Sequence, residues 1–124
     1  MNSIEKFGYE LSEKVYDSLK RNIRIDYCHY GYCGVGFVLE DNKVLYTHFD
    51  EWLTYRHGMQ YVPGGSYVGI IQAFNSKFEF IDWLSEQSDC SLSGFETEDN
   101  WYIDNQRVTR KRLMYLIEEE TGVK

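Results

Sequence analysis

Residues 35–49 read VGFVLEDNKVLYTHF, and the reading of this stretch decides the fold. VGFVLE at 35–40 and VLYTHF at 44–49 are rich in Val, Leu, Phe and Tyr, which fit a pleated, half-buried surface. Between them, Asp41, Asn42 and Lys43 form a short break with turn chemistry. Two strand-like runs this close together pair antiparallel, as a β-hairpin.

Upstream, IRIDYCHY at 23–30 alternates Ile23, Ile25 and Tyr27 with Arg24, Asp26 and Cys28, which is strand periodicity. Glycines at 31 and 34 then break the chain. Further back, Ile4, Phe7, Leu11, Val15 and Leu19 recur at steps of three and four, predicting a helix over 3–20. Asn2 with Glu5 resembles a capping arrangement at its start.

Downstream, DEWLTYRHG at 50–58 has room for one helical turn. VPGG at 62–65 reads as a turn, with Pro63 presetting φ and Gly64 free to take positive φ. SYVGIIQAF at 66–74 is largely apolar and is expected to be a central strand. Ser76-Lys77-Phe78-Glu79 matches the capping box, so a helix starts there and runs to about Asp89. SLSG and ETEDN read as loop. Trp101-Tyr102-Ile103 is a short strand followed by a turn at Asp104-Asn105. Thr109 caps a last helix through about Glu120, with Gly122 near its end.

Hairpins dominate this order over βαβ units. The expected fold is α+β: one domain over 1–124, with an antiparallel sheet of about four to five strands covered on one face by helices. Those helices are the N-terminal one, one near 76–89 and one near 109–120. A chain of 124 residues suits one domain, and 43% apolar residues, 17% aromatics and a single Pro mark a folded composition. No apolar run approaches the roughly 20 residues that cross a bilayer. MNSIEKFGYELSEK lacks the apolar core of a signal peptide, and three cysteines fit a reducing compartment. A cytoplasmic location is expected.

The net charge of −7 is unevenly spread. Residues 1–77 carry 9 acids against 8 bases, and residues 107–124 carry 3 acids against 5 bases. Residues 78–106 carry 8 acids and no base. Such a field repels nucleic acid and attracts basic partners. On the helix of 76–89, Glu79, Asp82, Glu86 and Asp89 fall on one stripe, and Glu96, Glu98, Asp99 and Asp104 continue the sign. A merely solvated face usually mixes signs, gaining about 0.2–0.5 kcal/mol per i,i+4 pair. This one forgoes them, so a basic partner is expected at Glu79, Asp82, Glu86, Asp89, Glu96, Glu98 and Asp99.

In the last helix, Arg110, Lys111 and Arg112 crowd the N-terminal end and Glu118, Glu119 and Glu120 the C-terminal end, both against the helix dipole. Tertiary partners are expected to offset this, for instance an acid from the preceding loop against Arg110. A phosphate site at Arg107, Arg110 and Arg112 is disfavoured by the acidic surroundings.

Cys28, His29 and Cys33 raise metal binding and thiol catalysis, since thiolate and imidazole suit zinc. The spacing does not match zinc ribbons, and His48, His57 and Cys90 would join only by folding together. Cys28 and His29 are strand neighbours, so their side chains oppose each other. Buried sheet cysteines are expected, with no catalytic residue, no metal and no cofactor assigned. Of the 11 tyrosines, Tyr27, Tyr30 and Tyr32 cluster with the glycines and Tyr55, Tyr61 and Tyr67 flank the middle turn; Tyr gives large contact area at low entropy cost, so tyrosines combined with carboxylates suit a protein-binding surface. Stacking on RNA bases would need positive charge along the backbone path, which is missing.

VPGGSYVG (62–69), SKFEFIDWLSEQSDCSLSGFE (76–96) and NQRVTRKRL (105–113) together resemble small bacterial immunity proteins of toxin–immunity pairs, those of contact-dependent growth inhibition being nearest. The resemblance covers roughly residues 60–115. It implies a cytoplasmic protein, not an enzyme, that binds the C-terminal toxin domain of a related cell's secreted effector, often a nuclease. A nuclease surface is basic to hold phosphate, and an acidic inhibitor complements it. The contact residues named above rest on charge alone. Two other readings stand beside this one: a nucleic-acid mimic that blocks a DNA-binding or defence enzyme, and a small metal- or thiol-dependent enzyme using Cys28, Cys33 and His29.

Overall fold

The computed structural model describes residues 4–29, 33–49, 67–93 and 99–122. The expected cap at Asn2, the helical turn at 50–58, the VPGG turn, His57, Glu96 and Glu98 lie outside the described residues.

The chain is α+β, with six strands and four helices among the described residues. In order they are α1 (Gly8–Lys20), β1 (Ile25–His29), β2 (Cys33–Glu40), β3 (Lys43–Phe49), β4 (Tyr67–Phe74), α2 (Lys77–Ser85), α3 (Asp89–Ser93), β5 (Trp101–Ile103), β6 (Gln106–Val108) and α4 (Arg110–Thr121). The strands form one antiparallel sheet in the order β4-β3-β2-β1-β5-β6.

Two local signals set the hairpins. Asp41 and Asn42 take φ of 49° and 69°, and Asp104 and Asn105 take 46° and 70°. Both central residues of each turn are left-handed, as a type I′ turn requires, and Asx side chains tolerate that region. The second turn pairs β5 with β6, a strand the sequence did not announce. It is only three residues long, and Gln106 and Arg107 are exposed.

β4 corrects a second expectation. Its apolar run suggested a central strand, yet among the described strands it lies at the sheet edge, with Ile70 62% and Ile71 52% exposed. The chain meanders outward from β1 through β3, so topology places β4 last whatever its hydropathy. Its pairing with β3 is also irregular after Tyr46 and after His48.

The N-terminal helix starts later than periodicity implied. Lys6 makes an isolated antiparallel bridge with Ser88, and the Phe7 amide donates to the Gln87 carbonyl at 2.8 Å. Gly8, at φ 83°, then turns the chain into α1, and Ile4 is left 68% exposed. Tertiary hydrogen bonding has taken the residues that local propensity would have made helical.

The helices cover one face of the sheet. α2 packs on β3 and β4, α1 on β1 and β2, α3 on β1, and α4 on β5 and β6; α1 lies between α2 and α4. Leu11, Val15 and Leu19 of α1 meet Tyr27, Phe37, Phe80, Leu84, Trp101 and Leu113 in one core. Phe37 stacks on Tyr46 at 5.4 Å and meets Phe80 edge-on at 5.4 Å. Each such buried side chain contributes about 1.5–3 kcal/mol. No helix of the described residues is long and apolar enough to cross a membrane.

The opposite face carries Asp26, Cys28, Thr47 and Tyr102, all buried. There Tyr67 donates to Asp26 Oδ1 at 2.5 Å, Arg24 Nε pairs with Asp26 Oδ2 at 2.6 Å, and the guanidinium lies 4.7 Å over the Tyr67 ring. Gly36 makes room for this crossing: a Cβ there would overlap Asp26 Oδ1 and come within 2.5 Å of Tyr67 Cε1.

Candidate interaction surface on the first two helices

Ser76 caps α2 by accepting from the Glu79 amide at 3.2 Å, and Glu79 Oε2 accepts from the Asn75 amide at 2.7 Å. Phe80, Ile81 and Leu84 face the core. That turns Phe78, Glu79 and Asp82 outward, with Glu86 exposed just beyond the helix end.

The helix stops at Ser85 rather than Asp89. Ser88 and Ser91 exchange reciprocal side-chain to amide bonds at 2.8 and 3.1 Å and start a separate short helix, α3. The break separates Asp89 from the stripe. Asp89 is fully buried, accepts the Tyr27 hydroxyl at 2.6 Å, and lies 3.3 Å from Arg110 Nη2. It presents no charge to solvent, which corrects its assignment to a binding face.

Other acids of the base-free segment have also found partners in space. Glu86 pairs with Lys6 at 2.6 Å, and Asp99 pairs with Arg107 at 3.7 Å. Arg107 also donates to the Asp99 carbonyl at 2.7 Å. The bases come from the N-terminal segment and from β6, so a run without bases in sequence is not without them in the fold. The Lys6–Glu86 pair is about two-thirds exposed on both sides and worth only about 0–1 kcal/mol.

Asp82 stays exposed and accepts the Tyr9 hydroxyl at 3.0 Å. That bond, and then the charge of Asp82, raise the Tyr9 pKa above its ordinary value. Tyr9 is 56% exposed, and Phe78, one helical turn before Asp82, is 74% exposed. α1 and α2 run antiparallel here, with Lys6 beside Glu86, Tyr9 beside Asp82, and Lys77 over the Tyr16 ring at 5.5 Å. Glu13, exposed one turn beyond Tyr9, extends the acidic character along α1. The result is a ridge of two aromatics and several carboxylates.

Charge counting missed Tyr9 and Phe78. Their signal was present: neither lies on the apolar stripe of its helix, so an aromatic there has no core to enter.

Among the described residues, no group of three His, Cys, Asp or Glu side chains comes together in a way that could hold a metal. Cys28 is buried in β1 and Cys90 is partly buried, and neither is in a disulfide. Comparison of the chain with family models, curated proteins and solved structures finds no match.

Proposed function

We propose that this chain is an immunity protein that binds and neutralises a basic bacterial toxin domain, a nuclease surface being the best complement. The α1–α2 ridge is its binding face. The observation that carries this reading is the pairing of Tyr9 with Asp82 beside the exposed Phe78. Tightly bound interfaces centre on aromatic anchors, and charge around them steers encounter with the partner. Phe78, exposed beside Tyr9 and Asp82, supplies the apolar centre and the carboxylates the charged rim that such an interface uses.

Three carboxylates serve the ridge: Glu79, Asp82 and Glu86. The weak Lys6–Glu86 pair yields readily to an incoming guanidinium or ammonium group. Close charge pairs across an inhibitor interface couple by about 1.5–7 kcal/mol in the barnase–barstar case, so two or three contacts suffice.

The test is co-expression with the C-terminal domain of a large secreted protein encoded directly upstream of this chain. The expected result is a stoichiometric complex on purification and relief of that domain's toxicity. Separate elution, with toxicity unrelieved, would reject the reading.

A further inference from the structure

Two arginines inside this fold are held in one way. Arg24 pairs with Asp26 Oδ2 at 2.6 Å while Tyr67 donates to Oδ1 of the same carboxylate, and the guanidinium lies 4.7 Å over the Tyr67 ring. Arg110 pairs with Asp89 Oδ2 at 3.3 Å while Tyr27 donates to Oδ1, and the guanidinium lies 5.3 Å over the Phe7 ring. Each site has a carboxylate, a phenol that bonds one of its oxygens, and a ring against the guanidinium. Arg112 repeats part of this on α4, lying 4.9 Å over Tyr115, whose hydroxyl bonds Glu119.

The ridge has the same parts without the cation. Tyr9 donates to Asp82 Oδ1 at 3.0 Å, as Tyr27 does to Asp89 and Tyr67 to Asp26. Phe78 stands one helical turn before Asp82, about 5–6 Å away between Cβ atoms. It offers a ring beside the carboxylate, as Phe7 does beside Asp89. Here all three side chains are exposed rather than buried. Among the described residues no cation pairs with Asp82. Lys6 and Lys77, the bases nearby on the two helices, are directed to Glu86 and to the Tyr16 ring. With Oδ1 engaged by Tyr9, the Asp82 carboxylate is oriented before any partner arrives, which lowers the ordering cost of binding.

We propose that Tyr9, Asp82 and Phe78 form a socket for an arginine side chain of the partner, whose guanidinium completes the arrangement that Arg24 and Arg110 complete inside the fold. The proposal rests on the ridge being the binding face, and it names the group that face takes. Lysine fits less well. Its ammonium is a compact, strongly hydrated point charge, whereas a guanidinium is planar and more weakly hydrated, and stacks on a ring while its edge meets a carboxylate. A basic surface that holds phosphate through arginine therefore suits the socket better than a lysine-rich one.

An NMR titration of the full chain, with isotope-labelled Tyr and Phe rings, tests this with two peptides of equal charge: acetyl-Gly-Arg-Gly-amide and acetyl-Gly-Lys-Gly-amide. No toxin domain is used, so failure of the socket and failure of the co-expression test are read separately. The arginine peptide is expected to shift the Tyr9 and Phe78 ring signals saturably and to bind about threefold or more tightly than the lysine peptide. Asp82→Asn and Phe78→Leu should each remove that preference. Glu120→Gln, which removes the same charge from an exposed position on α4, should leave it in place. No saturable shift with the arginine peptide, equal affinity for the two peptides, or a preference that survives Asp82→Asn overturns the proposal. Arginine-selective binding by a chain that forms no complex with the upstream-encoded domain supports the socket and rejects the toxin as its occupant.

Discussion

Arg110 Nη2 lies 3.3 Å from Asp89 Oδ2, with both side chains buried. The same guanidinium donates to the Glu5 carbonyl at 3.1 Å and sits 5.3 Å over the Phe7 ring. One basic residue at the start of α4 thus fixes α3, β1 through Tyr27, and the segment before α1. The residue that seemed misplaced against its helix dipole is held by a tertiary anion.

Removing one member of this pair strands a buried charge, which costs about 3–5 kcal/mol. Arg110→Met and Asp89→Asn should each lower the urea midpoint sharply. The double variant should cost less than the two changes summed. Strict additivity would contradict the pairing.

The Asp26–Tyr67 network predicts an alkaline limit to stability. Burial first, and then the Asp26 charge and its hydrogen bond, push the Tyr67 hydroxyl well above its ordinary value of 10.0. The folded value exceeds the unfolded one, so this contribution is complete below pH about 10 and lost as pH rises beyond it. Urea midpoints should hold to about pH 9 and fall above 10. In Tyr67→Phe the fall should be shallower. It should not vanish, because burial raises Tyr102 in the same direction. Equal slopes in the two proteins would contradict the assignment.

Gly36→Ala should be destabilising by about 1–3 kcal/mol, since the added methyl meets Asp26 and the Tyr67 ring. Combining it with Tyr67→Ala should recover part of that loss, read from denaturation midpoints. No recovery would mean that the strain lies elsewhere.

The two-residue turns offer a gain. Asn42 and Asn105 sit at φ 69° and 70°, where glycine carries no Cβ penalty. Asn42→Gly should hold or modestly raise the melting temperature, whereas Asn42→Val should lower it. The reverse order would contradict a type I′ turn.

What was legible in the sequence was local. The Asp-Asn dipeptides, the Ser76 capping box and the Thr109 cap each act within four residues, and all three kinds appear as read. What was not legible depended on distant chain. The Lys6–Ser88 bridge moved the start of α1, and sheet order put β4 at the edge. Asp89 left the surface stripe for the core, where Tyr27 and Arg110 hold it. The acidic segment looked unpaired because its bases, Lys6, Arg107 and Arg110, arrive from opposite ends of the sequence. Of the described candidates, Glu79, Asp82 and Glu86 share the α1–α2 ridge with Tyr9 and Phe78, Asp89 is in the core and Asp99 lies beside Arg107 of β6, while Glu96 and Glu98 lie outside the described residues.

The ridge should behave as two kinds of contact. Phe78→Ala should speed dissociation from the toxin domain by tenfold or more, an anchor's contribution of about 1.4 kcal/mol or above. It should leave association nearly unchanged. A slowed association with unchanged dissociation would contradict an anchoring role.

The most direct test of the central claim is the association rate of the toxin domain with Asp82→Lys, Glu86→Lys over a salt series. Both residues are exposed, so loss of the Tyr9 bond and the Lys6 pair should lower the urea midpoint only slightly. The account predicts association slowed about tenfold or more at low salt, with a shallower salt dependence than wild type. An association rate and salt slope equal to those of the wild-type chain would show that the ridge is only a solvated surface.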